Sequence, residues 1–167
     1  IIPLEGPAIA VSVGGSQSCA LTETKSVYCW GEYISDGIPI SQLNQSAAIL
    51  VIDGMENPVR AISSGFSYSC AVLESLEEVC WGNNTHGLGS YPIEANDNIE
   101  YFSPGIGKST SISIGREISC AIMVDGRVNC WGPASPSQYD IQETEVDENY
   151  SRVISISSGH DHACGVN

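Results

Sequence analysis

Four short segments of alternating hydrophobic and polar residues recur along the chain, and each of them ends in glycine. They cover residues 8–14, 59–65, 109–115 and 153–159. A period of two is typical of a β-strand that has one inward face. Small serines stand between the branched residues and suit a crowded centre where strands from several units converge. We therefore predict an inner strand at the start of each of four units. The closing glycines predict either a positive φ or a close backbone approach.

A pair of cysteines follows each of the first three alternating segments. Ser-Cys-Ala and a hydrophobic residue are followed by Cys-Trp-Gly, and the two cysteines are separated by nine residues. The first cysteines, Cys19, Cys70 and Cys120, lie 51 and then 50 residues apart, and Cys164 begins a fourth copy. A period near fifty residues is typical of a repeat architecture. In the third copy Asp125-Gly126 lies midway between the cysteines and predicts a tight hairpin turn.

The repeat divides the chain into residues 1–51, 52–102, 103–150 and a partial fourth unit at 151–167. Residues 48–52 and 99–102 are hydrophobic enough to form an outer strand in each of the first two units. The polar, acidic stretches at 32–46, 83–98 and 133–150 are predicted to be loops, where binding is expected if it occurs. The composition, rich in Val, Ile, Ser and Gly and poor in Lys, is typical of an all-β protein.

The cysteine spacing predicts one disulfide across each hairpin, Cys19–Cys29, Cys70–Cys80 and Cys120–Cys130. Each short loop contributes about 2.5–3 kcal/mol in the chain-entropy treatment. Such disulfides indicate an oxidising compartment. Two alternatives stay open: a metal site, although zinc prefers cysteines two to four residues apart, and a helical hairpin with paired Cys-x9-Cys motifs. The partner of Cys164 is expected beyond Asn167, in a longer polypeptide.

The charge balance excludes some partners. The chain carries six Lys and Arg against twenty Asp and Glu, a net charge of −14. Such a surface repels phosphate backbones and anionic membranes, so we expect no nucleic-acid partner. Since no apolar run reaches membrane-spanning length, we also expect no membrane insertion.

The ordered pattern of an inner strand, Gly, a polar or His position, Ser-Cys-Ala-Leu, a turn and Cys-Trp-Gly resembles the RCC1 repeat. The disulfide-bearing form is similar to copies in secreted proteins and ectodomains. The resemblance implies a β-propeller, usually with seven four-stranded blades, and an extracellular location. The position where that family often has His is occupied here by Gln17, Tyr68, Ile118 and His162. The resemblance implies RCC1-like blades that belong to a larger propeller or assembly, because three full copies and part of a fourth cannot close one.

Several residues are candidate sites. Asn44, Asn83 and Asn149 begin Asn-x-Ser/Thr sequons in the predicted loops, and we expect glycans there. Trp30, Trp81 and Trp131 are predicted to anchor the packing of one blade on another. The cluster His160-Asp161-His162 suits catalysis or metal binding, but it coincides with a structural position of the repeat. The acidic runs at 94–100 and 143–148 are better explained as solvated surface than as calcium loops.

These observations predict an extracellular, non-enzymatic structural protein that assembles with copies of itself, such as a glycosylated fibre component. The alternative is a recognition ectodomain that binds protein or carbohydrate through its loops. We expect no catalytic residue, no metal and no cofactor. The expected partners are copies of this chain or the rest of a longer chain.

Overall fold

The computed structural model describes residues 4–31, 48–83, 91–96, 99–132, 142–144 and 152–167 of the 167-residue chain, with backbone alone at 91–96, 99–100 and 142–144. Within these ranges it contains fifteen strands and no helix. The helical-hairpin alternative is therefore wrong for the cysteine pairs, and the prediction of an all-β fold is confirmed. No helix in the described ranges is long and apolar enough to cross a membrane.

The strands form three complete antiparallel sheets and one small sheet, which we call blades 1 to 4. Blade 1 contains β1 (Ala8–Val13), β2 (Gln17–Thr22), β3 (Val27–Gly31) and β4 (Ile49–Ile52) in that order. Blade 2 contains β5 (Val59–Ser64), β6 (Tyr68–Leu73), β7 (Glu78–Gly82), β8 (Tyr91–Asn96) and β9 (Ile99–Ser103) in the order β5-β6-β7-β9-β8. Blade 3 contains β10 (Ser109–Ile114), β11 (Ser119–Met123), β12 (Val128–Trp131) and β13 (Gln142–Thr144). Blade 4 contains β14 (Ser155–Ser158) and β15 (Ala163–Val166).

The inner strands lie where the alternating pattern predicts them. In the first three blades each begins at the first residue of the predicted segment, whereas β14 begins two residues later, at Ser155. All three full inner strands carry a β-bulge at the same repeat position, after Ala8, Val59 and Ser109. The bulge places residues 8, 11 and 13 on one face of β1, and the equivalent residues of β5 and β10 follow the same pattern.

Two outer strands were predicted and two were not. β4 and β9 confirm the predicted outer strands, and each extends one residue past the predicted repeat boundary. β8 and β13 lie inside segments predicted to be loops, so that prediction is wrong at residues 91–96 and 142–144. β13 is three polar residues, Gln-Glu-Thr, and has no hydrophobic alternation to reveal it. Pairing of its backbone with β12 makes it a strand.

The cysteine hairpins turn through four-residue connections rather than through a two-residue turn at Asp125-Gly126. The third residue of each connection has a left-handed backbone, with φ of 65° at Lys25, 70° at Leu76 and 89° at Gly126. Only the third copy has glycine at this position, where a side chain is unfavourable. The Asp-Gly pair therefore marks the turn correctly but is part of a longer connection.

The core consists of three apolar clusters, each at a junction between consecutive blades. The first cluster joins Cys19, Leu21 and Cys29 of blade 1 to Ala71 and Trp81 of blade 2. The second joins Cys70 and Val72 of blade 2 to Ile112, Ile114 and Trp131 of blade 3. The third joins Cys120 and Ile122 of blade 3 to Val153 and Ile156 of blade 4. Blades 2 and 3 therefore each bury one face on the preceding blade and the other on the following blade.

Candidate functional site at the blade faces

All three predicted hairpin disulfides are present. Cys19–Cys29, Cys70–Cys80 and Cys120–Cys130 are directly opposed in their ladders, with Cα–Cα distances of 4.1, 4.0 and 4.0 Å. These short distances are typical of opposed residues that do not exchange backbone hydrogen bonds. Five of the six sulfur-bearing residues are fully buried, so the disulfides form part of the blade junctions. Cys164 is a free, exposed cysteine in the described part of the chain.

A serine on each inner strand bonds the next blade. The Ser64 amide donates to Ser12 Oγ at 2.8 Å, the Ile114 amide donates to Ser63 Oγ at 2.9 Å, and the Ser158 amide donates to Ser113 Oγ at 2.8 Å. All three junctions therefore use one hydroxyl at one repeat position. The sequence suggested only that these serines are small. Their recurrence in every copy, with Ser157 as the fourth, was the signal that could have identified their role.

The glycines that end the inner strands form a second bond at each junction. The amide that follows the glycine donates to the glycine carbonyl of the next blade: Gly15 to Gly65 at 3.1 Å, Phe66 to Gly115 at 3.4 Å and Arg116 to Gly159 at 3.2 Å. A Cβ on Gly14 would lie 1.8 Å from the Gly65 carbonyl oxygen. None of these four glycines has a positive φ. Close backbone approach, the second of the two predicted reasons, therefore explains them.

The position that resembles the family histidine lies beside the following blade. The Tyr68 hydroxyl hydrogen-bonds Ser119 Oγ of blade 3. Burial raises the pKa of Tyr68, and the neighbouring Ser119 and Trp131 side chains partly oppose that effect. Gln17 has the same position in blade 1 and is also buried, and neither atom of its amide group has a partner among the described residues. In blade 4 the His162 ring lies against Gly159.

The three tryptophans occupy one repeat position but differ in burial. Trp81 is buried in the junction between blades 1 and 2, and Trp131 is buried in the junction between blades 2 and 3. Trp30, in blade 1, is only half-buried. The indole nitrogens of Trp81 and Trp131 are buried without a hydrogen-bond partner in the described structure. Each buried indole packs on the blade that precedes it in the chain.

The face of blade 1 that points away from blade 2 exposes apolar residues on its inner strand; we call it the leading face. Val11 is 69% exposed and Val13 is 72% exposed. The equivalent residues of blade 3, Ile112 and Ile114, are 7% and 5% exposed because blade 2 covers them. The contrast shows how much apolar surface a preceding blade would remove from water at the leading face.

The face of blade 4 that points away from blade 3 also exposes an apolar residue; we call it the trailing face. Val166 is 59% exposed, while its equivalents Val72 and Ile122 are 0% and 4% exposed. Cys164 and Ser157 are also exposed on this blade, and their equivalents in the inner blades contact the following blade. No described blade covers this face.

A row of exposed side chains follows the turns between the first two strands of each blade. The Arg116 guanidinium lies 4.6 Å from the centre of the Phe66 ring, across the junction between blades 2 and 3. His160 Nε2 is 4.0 Å from Glu117 Oε1 across the next junction. His162 Nδ1 is 3.1 Å from Asp161 Oδ1, and this hydrogen bond lowers the pKa of Asp161. The described residues hold no cluster of three or more side chains suited to a metal.

The remaining candidate sites lie largely outside the described residues. Asn44 and Asn149 are outside them. Asn83 ends a described segment and is half-buried, and its backbone amide donates to the Ser67 carbonyl at 2.9 Å. Glycosylation stays a prediction. The acidic side chains at 94–100 and 143–148 are likewise not described.

One buried carboxyl group lies at a junction. Glu78, at the start of β7, is 4% exposed, and its Oε1 has no hydrogen-bond partner in the described structure. Burial raises the pKa of Glu78, and the neighbouring Ser109 of blade 3 partly opposes that effect. The carboxyl group is therefore held where its charged form is unfavourable.

Comparison with known proteins points to one repeat family. The family described as Regulator of chromosome condensation (RCC1) repeat matches residues 8–32 and 110–132. Protein pim1 of Schizosaccharomyces pombe is 27% identical over a 161-residue alignment, and the match covers 84% of this chain and 30% of that protein. The mitochondrial RCC1 domain-containing protein RUG3 of Arabidopsis thaliana is 25% identical over a 143-residue alignment, and the match covers 77% of this chain and 31% of that protein. The chain spans less than a third of the length of either relative.

Solved structures share the fold. Human WBSCR16 superposes with a TM-score of 0.73 at 16% identity, over 99% of this chain and 47% of that one. Prp20p of Saccharomyces cerevisiae gives 0.68 at 18% identity, over 95% and 42% of the two chains. The ectodomain of the Arabidopsis thaliana receptor kinase ACR4 gives 0.54 at 23% identity, over 93% and 45%.

The repeat match, the hairpin disulfides and the successive antiparallel sheets agree with one another. The chain is built from disulfide-containing RCC1-like repeats that form consecutive blades of a partial β-propeller.

Proposed function

We propose that this chain is a non-enzymatic structural protein of an extracellular compartment, which assembles with other propeller blades through its leading and trailing faces. The observation that carries this proposal is the contrast in exposure at equivalent positions. Val11, Val13 and Val166 are more than half exposed, whereas the residues at the same positions of the inner junctions are largely buried. Apolar surface of this kind marks an interaction site.

The three hairpin disulfides support the choice of compartment. They indicate an oxidising environment, in which the six paired cysteines stay linked. The predicted glycans and the acidic surface suit a secreted protein. The relatives span several settings, since one of them is named as mitochondrial, so the extracellular location rests on the cysteines of this chain.

The chemistry of the faces supports association rather than catalysis. The exposed Val11, Val13 and Val166 side chains are aliphatic, and such side chains bury surface on contact but carry no catalytic group. The His160-Asp161-His162 cluster is exposed at a turn and coincides with a structural position of the repeat.

Light scattering across a range of protein concentrations tests this proposal. We expect the molar mass of the wild-type chain to rise with concentration. Val11→Asp should lower the association constant at least tenfold, because the contact would remove the new charge from water. Met55→Asp is the matched control. Met55 is 90% exposed on a loop, so this substitution adds the same charge away from both faces. A wild-type chain that stays monomeric at every concentration would contradict the proposal.

A second candidate function is recognition of a protein or carbohydrate by the row of turns. The exposed Phe66 ring with Arg116 stacked on it favours this alternative, because an exposed aromatic plane is a common element of binding sites. A glycan array probed with wild type and Phe66→Ala would test it. Binding that Phe66→Ala abolishes would support recognition, and an array without binding would remove the carbohydrate form of this alternative.

A further inference from the structure

We infer that the Arg116 guanidinium, stacked on the Phe66 ring, binds a carboxylate group of a peptide ligand. This inference rests on the second candidate function, recognition by the row of turns, and not on the proposed assembly. Blades 2 and 3, which carry the two residues, each have a described blade on both sides. The exposure of the stack is therefore not that of an uncovered end of the array.

The stack extends over three consecutive blades at one repeat position, the residue after the glycine that ends each inner strand. In blade 1 this residue is Gly15, and a Cβ there would lie 2.6 Å from Phe66 Cδ2, so the ring fills the space that a side chain would need. In blade 3 the residue is Arg116, whose guanidinium carbon lies 4.6 Å from the centre of the Phe66 ring. Phe66 is 46% exposed, and Arg116 is also exposed. The ring and the guanidinium therefore form one accessible surface.

Backbone hydrogen bonds fix the turn that carries Arg116. The Arg116 amide donates to the Gly159 carbonyl of blade 4 at 3.2 Å. The next amide, of Glu117, donates to the His160 carbonyl at 2.7 Å. A guanidinium on a fixed turn that is also stacked on an aromatic ring loses less conformational freedom on binding than a mobile one. The turn and the ring therefore hold Arg116 ready for a ligand.

Arg116 has no carboxylate partner among the described residues, although the chain has twenty Asp and Glu against six Lys and Arg. By contrast, Arg127 Nε lies 2.8 Å from Asp125 Oδ2. The carboxylate next to Arg116 in the sequence belongs to Glu117, and its Oε1 lies 4.0 Å from His160 Nε2. The N–H donors of Arg116 are therefore available to an acceptor from outside the described chain.

The shape of the guanidinium and the charge of the chain together select the ligand. The planar N–H fork of arginine matches the two oxygens of a carboxylate or of a phosphate. The net charge of −14 repels ligands that carry many negative charges, such as acidic polysaccharides and nucleic acids. A peptide can present a single carboxylate, at its C terminus or on a side chain, beside basic residues that the acidic surface attracts. A peptide carboxylate is therefore the ligand that both features favour.

An NMR titration of the full chain tests the site. The probe is the peptide acetyl-Lys-Gly-Gly with a free C-terminal carboxylate, and its control is the same peptide with a C-terminal amide. We expect the Arg116 Nε–Hε resonance to shift saturably, with an affinity at least about fivefold higher for the carboxylate form. Arg60 is also exposed and is not stacked on a ring in the described structure, so its resonance should shift at least about fivefold less. A third peptide, acetyl-Lys-Glu-Gly-amide, carries its carboxylate on a side chain, and the tighter of the two carboxylate peptides identifies the source of the group.

Two variants separate the stacked fork from simple charge, with the Glu117 amide resonance as the reporter in both. Arg116→Lys keeps the positive charge and removes the fork, and it should weaken binding of the carboxylate peptide at least about fivefold. Phe66→Leu keeps an apolar side chain and removes the ring, and it should weaken binding at least about threefold because the guanidinium loses its support. Arg60→Lys is the matched control and should leave the affinity unchanged. Both altered residues of the stack are exposed, and circular dichroism checks that the variants fold.

Three results would overturn the inference. If Arg116→Lys binds the carboxylate peptide as tightly as the wild type does, charge alone accounts for the binding. If the carboxylate and amide peptides bind equally, no carboxylate is recognised. If glucuronic acid binds more tightly than either carboxylate peptide, the ligand is a sugar acid and not a peptide. Failure of peptide binding together with binding on the glycan array would overturn this inference alone, whereas failure in both assays would also remove the recognition function.

Discussion

At the scale of single residues, serine has a specific role on the inner strands. Its hydroxyl accepts a backbone amide from the next blade at each of three junctions. A residue of this size fits beside a closely approaching backbone, and its oxygen satisfies an amide that the sheet ladder leaves unpaired. Replacing the hydroxyl therefore affects the joining of blades more than the folding of one blade.

Ser63→Ala should lower the free energy of unfolding by about 1–2 kcal/mol, because it leaves the Ile114 amide without its acceptor at a partly buried junction. Urea denaturation measures the change. Ser75→Ala is the control, since the Ser75 hydroxyl contacts only the exposed Glu77 among the described residues, and it should change stability by less than about 0.5 kcal/mol. Equal losses in the two variants would show that the serine bond does not hold the junction.

Glu78→Gln should stabilise the fold at neutral pH. Burial raises the pKa of Glu78 in the folded chain, so the folded state holds a proton that the unfolded state releases at lower pH. Stability of the wild type therefore falls as pH rises from the ordinary glutamate pKa through the raised one. Because glutamine does not titrate, the stability of the variant should not fall in this way as pH rises. Melting temperatures of the two proteins from acidic to neutral pH measure it, with the exposed Glu77→Gln as control. A constant difference across that range would contradict this assignment.

At the scale of elements, the hairpin connection has a conformational requirement that two of its three copies do not meet well. Lys25 and Leu76 adopt a left-handed backbone, which glycine adopts in the third copy at Gly126. These turns also bond the next blade. The Lys25 carbonyl accepts a hydrogen bond from the Val59 amide at 3.1 Å, and the Leu76 carbonyl accepts one from the Ser109 amide at 2.9 Å. The left-handed conformation therefore accompanies a contact between blades.

Lys25→Gly should therefore raise the free energy of unfolding by about 0.5–1 kcal/mol, since glycine relieves the positive φ and keeps the backbone bond. The substitution also removes an exposed ion pair with Glu74, which contributes little. Lys25→Ala is the control, because it loses the same ion pair and keeps the strained backbone. Thermal denaturation compares the two variants. A gain with alanine as large as with glycine would assign the effect to the side chain and not to the turn.

The sequence predicts those elements whose signal is local. Alternation locates the inner strands, and the cysteine spacing locates the hairpins and their disulfides. β8 and β13 were missed because backbone pairing with an existing strand forms them, and the polar residues of β13 carry no hydrophobic period. The hydrogen bonds of Ser12 and Ser63 were not predicted from one repeat, because they depend on how closely one blade approaches the next, and only the recurrence of the serine indicated them. That distance is a property of the junction and not of any single repeat.

At the scale of the whole molecule, the described blades form an open array, with one exposed face on blade 1 and one on blade 4. Its inner junctions repeat three kinds of contact: serine to amide, amide to glycine carbonyl, and a cluster of branched side chains around the cysteines. Equivalent groups are exposed on the leading and trailing faces, where no described blade covers them. The central claim of the proposed assembly is that another blade binds these groups.

The measurement that tests this claim most directly is amide hydrogen exchange followed residue by residue by NMR, at low and at high protein concentration. We expect the Val13 and His160 amides to exchange freely in dilute protein and to become at least tenfold slower in concentrated protein, because the equivalent amides at the inner junctions are bonded to a neighbouring blade. The Ser64 amide, bonded to Ser12 within one copy, should be protected at both concentrations and serves as the internal reference. Exchange of Val13 and His160 at the same rate in dilute and concentrated protein would contradict the proposed assembly.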